Sequence, residues 1–290
     1  MKTIDITFGQ YKKEFCALIL THGRPHNLKT LRALQKCGYT GDYYIVIDNE
    51  DKTANEYRKL YGDRVVMFDK EQIARTFDNG DNFNDRRAII YARNASFQIA
   101  RDKGYKYFIQ LDDDYDGFYY KFDDRLNYHR KKIKNLDNIL FFLLKHYLSV
   151  PALSVAMAQM GDFIGGENSA LSRRLYLKRK AMNTFICSVD RPFQFVGRIN
   201  EDVNTYTKYG NMGHLFYTVP LLAINQAQTQ SNAGGMTDIY LNSGTYVKSF
   251  YTVMYMPSSV VVHSMGYIHR RLHHRVKWNN TVPCILRENK

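Results

Sequence analysis

The 290-residue chain is short of cysteine: Cys16, Cys37, Cys187 and Cys284 stand singly, with no close pair. That excludes a zinc finger and a disulfide scaffold, and the four read as free thiols in a reducing compartment. The opening MKTIDITFGQYKKEF lacks the apolar core of a secretory leader. A long hydrophobic run is also missing. The most apolar stretch, Asn138 to Met160, is interrupted by Lys145, His146 and Pro151, and so predicts a core helix and a core strand rather than a membrane span. No G-x-G-x-x-G follows the first apolar run, which argues against a Rossmann dehydrogenase. There is no internal repeat and no clear linker. The expectation is one large domain, cytoplasmic, without a membrane partner and without an evident obligate protein partner.

Aromatic residues, by contrast, are plentiful. The chain has 23 tyrosines, 17 phenylalanines and 44% hydrophobic residues, enough for a sizeable ordered core. Lys and Arg number 41 against 28 Asp and Glu, a net charge of +13, which fits an anionic partner such as a nucleotide or nucleic acid.

The first half alternates strand and helix patterns. Phe15 to Leu20 (FCALIL) is a continuous apolar run, as expected of a strand covered on both faces, and it ends in the turn THGRPHN. Leu28, Leu31 and Leu34 then recur at helical spacing up to Gly38. Further strands are expected at Tyr43 to Ile47, Val65 to Phe68 and Tyr105 to Leu111, with helices at Ala54 to Tyr61 and Arg86 to Asp102. Such repeated units predict an α/β fold with a mostly parallel sheet and helices on both faces. Ligands of such sheets sit at the carboxyl ends of the strands. Three of the strands end in polar punctuation: Thr21-His22-Gly23-Arg24, Asp48-Asn49 and Asp112-Asp113-Asp114.

In the second half, helices are expected at Asn135 to Tyr147 and Asn200 to Tyr209. A strand is expected at Ala152 to Gln159, and Val247 to His263 contains strand-like runs. Gly161 to Ser169 (GDFIGGENS) and Ala223 to Asp238 read as loops, the second mobile.

The stretch YFIQLDDDY drives a buried strand into three carboxylates. Buried carboxylates are costly unless a positive partner meets them. If the segment stays extended, alternation turns Asp112 and Asp114 to one side and Asp113 to the other. Hard carboxylate oxygens suit Mg²⁺ or Mn²⁺, which commonly bridge protein to a substrate diphosphate. An ordinary solvated turn or helix cap would also use aspartates here.

The longer segment ARNASFQIARDKGYKYFIQLDDDY resembles the core of GT-A fold glycosyltransferases, in which an Arg-Asn-containing helix leads into a strand ending in Asp-x-Asp. LILTHGRP resembles that family's first strand and nucleotide loop, and VIDNED its second strand. The resemblance implies a GT-A type, Rossmann-like single domain covering roughly Phe15 to His263. It implies that Asp114 ligates the metal and that Asp112 supports it or the ribose. Thr21, Arg24, Asp48 and Arg93 would hold the nucleotide sugar together with Asp112, Asp113 would join them in a supporting role, and Asn94 would take the matching helix position beside Arg93. GRINEDVNTYTKYG resembles the Glu-Asp pair of inverting members, making Asp202, or else Glu201, the catalytic base; acids in a first helical turn also simply complement the helix dipole. In VVVHSMGYIHRRLHHRVKW, His263 resembles the C-terminal histidine that completes the metal site in some members.

The basic run Arg270, Arg271, Arg275 and Lys277, ending at Trp278, would clamp phosphate or a nucleic acid backbone, with Trp278 available for stacking. A diphosphate pocket needs few cations, so the surplus points to a polyanion. A basic GT-A enzyme of this kind resembles the phage glycosyltransferases associated with TET-type oxygenases. That resemblance implies transfer from a nucleoside-diphosphate sugar, such as a UDP-sugar, to 5-hydroxymethylcytosine in DNA, and a host-cytoplasmic location. Gly166, Glu167 and Asn168 would contact sugar or acceptor. The expected division is a nucleotide-sugar half at 1–118, an acceptor and catalytic half at 119–268, and a basic C-terminal segment at 269–290. The rival readings are a GT-A enzyme acting on a glycan or protein, a metal-dependent nuclease or nucleotidyltransferase, and a non-enzymatic DNA-binding protein.

Overall fold

The computed structural model describes residues 5–81, 85–125, 127–160, 178–226, 236–265 and 270–286. Helix α1 (Phe8–Glu14) opens on a capping box, in which Thr7 and Gln10 satisfy each other's backbone amides. It delivers the chain into β1 (Phe15–Leu20), all six residues of which are buried. There follow α2 (Lys29–Lys36), β2 (Asp42–Asp48), α3 (Ala54–Tyr61), β3 (Val65–Phe68), the short α4 (Lys70–Ala74), α5 (Ile90–Asp102) and β4 (Tyr107–Asp112). Gly38 ends the turn after α2 at φ +80°, where a Cβ would collide with the Lys134 carbonyl. No other residue type fits that turn without strain.

The second half contains β5 (Tyr115–Phe122), β6 (Tyr128–Lys132), α6 (Leu136–Ser149), β7 (Ala152–Gln159), β8 (Phe185–Ser188), α7 (Glu201–Asn211), β9 (Leu215–Gln226), α8 (Met236–Tyr255), β10 (Val260–Met265) and β11 (Arg271–Val276). Nine strands form one sheet in the order β3-β2-β1-β4-β8-β7-β9-β5-β6. Strands β3, β2, β1 and β4 pair in parallel, as expected of the first half. Beyond β4 the sheet is mixed: β7 and β9 are parallel, and the other pairs are antiparallel.

Alternation along β1 divides the core in two. Ala17 and Ile19 join Leu31, Leu34, Leu140 and Leu144 under α2 and α6. Cys16, Leu18 and Leu20 join Ala95, Ile99, Val203 and Tyr206 under α5 and α7. A strand buried on both faces must be apolar at every position, which is why FCALIL reads as a run without alternation.

Residues 118 and 119, where the nucleotide-sugar half is expected to give way to the acceptor half, both lie in β5, and one sheet runs through both halves. Within the basic C-terminal segment, β11 pairs antiparallel with β10 from Val260↔Val276 to Met265↔Arg271. Helix α8 also occupies much of the region read as strand-like, and β9 reaches Gln226 within the stretch read as a loop. Among the described residues no helix is long and apolar enough to cross a membrane.

Candidate active site

Strand β4 ends at Asp112, and residues 113–114 form a turn before β5 begins at Tyr115. The alternation expected of an extended segment therefore stops at Asp112, and the three carboxylates take three different directions. Asp112 Oδ1 accepts from Arg93 Nη2 at 2.8 Å. Asp113, the residue expected to point away, is the most completely engaged. Its Oδ2 accepts from Thr21 Oγ1 at 2.6 Å, and its Oδ1 from Arg24 Nη1 at 3.1 Å. Asp114 is held by Gln226, whose own carbonyl oxygen accepts from Asn183, while Asp114 Oδ1 is buried without a hydrogen-bond partner.

The charges register this crowding. Burial pushes Asp112 up to about 7 against the pull of Arg93, with Asp114 and Asp113 adding to the rise. Asp114 is raised by burial and then by Asp113. A carboxylate kept short of neutralising charge, with a buried oxygen left unbonded, has the character of a cation ligand.

The ends of β1 and β2 build the neighbouring wall. Thr21 Oγ1 and Tyr57 Oη lie 2.9 Å apart, and Tyr57 Oη also accepts from the Arg24 amide at 2.8 Å. Asp48 pairs with His22 Nδ1 at 2.8 Å and Lys70 Nζ at 3.3 Å. Burial works to raise Asp48, but His22 and Lys70 together hold it below its ordinary value. Asp51 Oδ2 accepts from the Gly23 amide at 2.7 Å and so fixes the loop after β1. His22, Asp51, Tyr57 and Lys70 were not singled out from sequence. His22 and Asp51 lie inside the quoted motifs, whereas nothing local marks Tyr57 or Lys70.

Arg93 is turned into the protein. Its side chain is 1% exposed and packs against the rings of Phe185 and Phe195, 5.2 and 5.8 Å from their centroids. Its Nη2 holds Asp112, and its Nε donates to Glu201 Oε1 at 3.1 Å. Asn94 likewise binds backbone, exchanging hydrogen bonds with both the amide and the carbonyl of Phe195 at 2.8 and 3.0 Å. The Arg-Asn pair thus ties the aspartate strand to the segment leading into α7.

That segment brings the second pair of carboxylates to the same place. Asn200 enters α7 in the left-handed conformation (φ +56°), and its amide donates to the Lys248 carbonyl of α8 at 2.7 Å. Glu201 is raised by burial and by Asp202, against Arg93. Asp202 Oδ1 accepts from the Val203 amide at 2.8 Å, and its charge is felt at Asp112, Glu201 and Lys248. Glu201 is therefore occupied as a tether, and Asp202 is the carboxylate presented at the helix start.

The remaining candidates are dispersed. His263 is exposed on β10, opposite His273, in a sheet of its own with β11. It does not complete a set with Asp112 and Asp114: among the described residues no three His, Cys, Asp or Glu side chains come together as a ready ion site. Arg270, Arg271, Arg275 and Lys277 are exposed, and β11 carries Arg271 and Arg275. Trp278 is stacked on Tyr206 at 5.7 Å with 13° between the planes, so one of its faces is taken. Gly166, Glu167 and Asn168 lie outside the described residues.

The family model of TET-associated glycosyltransferases matches residues 15–235. The chain belongs to that family. The matched span contains Asp112 to Asp114, Arg93, Glu201 and Asp202, and ends before α8. This TET-associated glycosyltransferase is accordingly an enzyme of glycosyl transfer, and the nuclease, nucleotidyltransferase and non-enzymatic readings fall away. Among solved structures, the glucosyl-3-phosphoglycerate synthase of Mycobacterium tuberculosis in complex with Mn²⁺, UDP and phosphoglyceric acid is 10% identical, with a TM-score of 0.48 over 93% of this chain and 91% of that one. A mannosyltransferase of Pyrobaculum calidifontis in complex with GDP-Man and Mn²⁺ is 12% identical, with a TM-score of 0.45 over 74% and 56% of the two chains. No curated protein matches the chain.

Proposed function

We propose that the enzyme moves a sugar from a nucleoside-diphosphate sugar, a UDP-sugar in the simplest case, to the hydroxyl of 5-hydroxymethylcytosine in DNA. The observation that carries the reading is the Asp112–Arg93–Glu201 bridge. It fastens the carboxyl end of the parallel strands to the start of α7, so that Asp114 and Asp202 belong to one site. Thr21, Arg24 and Asp48 line the nucleotide side of that site, at the strand ends where such sheets bind ligands.

The donor set fits a divalent cation. Asp114, with its unbonded buried oxygen, and Asp112 would hold Mn²⁺ or Mg²⁺, leaving the other positions to diphosphate and water. Bound there, the ion would supply positive charge beside the departing diphosphate. His263 is left out of this set.

Asp202 acts as general base. As the hydroxymethyl oxygen bonds to the anomeric carbon, its proton passes to the Asp202 carboxylate, and the bond from the anomeric carbon to the diphosphate oxygen breaks with its electron pair leaving on the diphosphate. A single displacement inverts the anomeric configuration. Arg93 orients both carboxylate pairs, and the net charge of +13 favours a polyanionic acceptor.

The test offers hydroxymethylated and ordinary DNA, with a panel of nucleotide sugars and Mn²⁺, followed by mass spectrometry of the released nucleosides. One hexose added to hydroxymethylcytosine alone, with the inverted linkage by NMR, is the expected result. No mass gain on either DNA overturns the acceptor.

A further inference from the structure

The module formed by α8, β10 and β11 begins at residue 236, just past the span matched by the family. Its charge is one-sided: from Ile239 to Arg287 the sequence contains no Asp or Glu, while Lys248, Arg270, Arg271, Arg275 and Lys277 all fall inside it. The cations of this module therefore have no acidic partner within their own stretch of chain.

Its apolar residues are distributed just as unusually. Tyr246, Phe250 and Met254 are 62%, 50% and 61% exposed, although they recur every fourth residue along α8. Residues four apart share a helix face, about 6 Å apart along the axis. The opposite face does the packing: Tyr251 and Thr252 are buried, and Ser249 Oγ donates to the Leu272 carbonyl of β11 at 2.8 Å. An aromatic stripe of this size left in solvent marks a binding surface. A second copy of the chain is a poor occupant, because it would bring two strongly cationic modules together.

We propose that this module is a docking surface for an unpaired DNA strand, with bases stacking on Tyr246 and Phe250 and phosphates meeting Arg271 and Arg275. Aromatic side chains on one element and cations on the element packed against it are the chemistry that holds single strands, since every base offers a ring face once it is unstacked. The proposal rests on the reading of DNA as acceptor and adds where the strand lies. A hydroxymethyl group inside a duplex has to be reached in the groove or flipped out, and the module stands beside the site to hold the opened strand. The module meets the site at Lys248, whose carbonyl accepts from the Asn200 side chain at the start of α7 at 2.7 Å.

The experiment measures binding of a fluorescently labelled oligonucleotide of ordinary bases, as single strand and as duplex, without donor or divalent ion. The wild-type chain is expected to bind the single strand more tightly. Tyr246→Ser with Phe250→Ser is expected to weaken that binding about tenfold or more, with the salt dependence kept. Arg271→Gln with Arg275→Gln is expected to lower the slope of log affinity against log salt by about 1.4, the value for two phosphate contacts on a single strand. Circular dichroism confirms that both variants fold.

Unchanged affinity in both variants overturns the proposal, as does equal binding of duplex and single strand. A concentration-dependent dimer that the aromatic variant dissolves also overturns it. The two readings fail separately. Strand binding without sugar transfer to hydroxymethylated DNA removes the acceptor reading and leaves the surface. Transfer by the wild type, with both variants binding as it does, removes the surface and leaves the acceptor reading.

Discussion

The strand ends of the parallel half and the α8–β11 module handle charge in opposite ways. At the ends of β1, β2 and β4, Asp48, Asp51, Asp112 and Asp113 each meet a named donor or cation, and Asp114 keeps one buried oxygen unbonded. In the module, an acid-free stretch leaves its arginines on the surface, and α8 carries exposed rings. The first arrangement fixes positions within a few tenths of an ångström and suits a small donor that must be aligned for reaction. The second exerts attraction over several ångströms and suits a long, flexible polyanion, at the cost of sensitivity to salt.

The contrast can be broken most sharply at the aligned end. Asp202→Asn is expected to reduce transfer by about 10² to 10⁴-fold, because the acceptor loses its base. Asp114→Asn is expected to cost about 10³-fold and to abolish the stabilisation of the fold by Mn²⁺ plus nucleoside diphosphate. Thermal melts with and without the ion separate the two, since Asp202→Asn keeps that stabilisation. An Asp114→Asn enzyme that still gains stability from Mn²⁺ would sink the metal assignment.

Next comes the bridge itself. Arg93→Met leaves Asp112 and Glu201 buried without their cation, and is expected to lose about 3 to 5 kcal/mol in denaturant unfolding. Adding Glu201→Gln to Arg93→Met should recover part of that loss, a non-additivity that a mere packing defect would not produce.

Acidity should pull different acids in opposite directions. Glu201, raised by burial and by Asp202, gives its stability in the protonated form, which is complete below its unfolded value and lost as pH rises through its folded one. Asp48, lowered by His22 and Lys70 against burial, gives stability above its unfolded value that is lost as pH falls through its folded one. Glu201→Gln should therefore flatten the loss of stability on the neutral side, and Asp48→Asn the loss on the acid side. Each pKa unit of difference is worth about 1.4 kcal/mol. The smallest effect belongs to Arg75→Ala, which breaks an exposed pair with Glu71 and is expected to change stability by less than about 0.5 kcal/mol.

What the residues announce in advance depends on where their partners lie. β1 and β7 begin and end where their apolar runs do, and α3 is cut by Gly62, so their limits are written locally. Helix α8 hides from such reading. Its packed face uses Ser249, Tyr251 and Thr252, while Tyr246, Phe250 and Met254 face solvent, so the usual apolar stripe marks the wrong side. Helix α5 begins at Ile90 rather than Arg86, because Asp85 binds the amide and guanidinium of Arg87 in the approach to the helix. In the site, the three aspartates and the Glu-Asp pair are legible as motifs, but the role of Arg93 is not. Its two acids lie 19 and 108 residues away, a distance that no local pattern spans.

The sheet order carries a consequence for the growing chain. β4 hands over to β5 at residues 113–114, yet β8, β7 and β9, which fill the sheet between them, are synthesised afterwards. The parallel strands β1 to β4 can pair as soon as their residues emerge. Asp112 and Asp113 can meet Arg93, Thr21 and Arg24 early, but Asp114 acquires Gln226, and Arg93 acquires Glu201, only when those later residues exist. Long-range pairing of this kind is slow. The site is therefore finished well after the strands that carry it, and a chain stopped short of Gln226 has the ends of β1, β2 and β4 without the residue that holds Asp114.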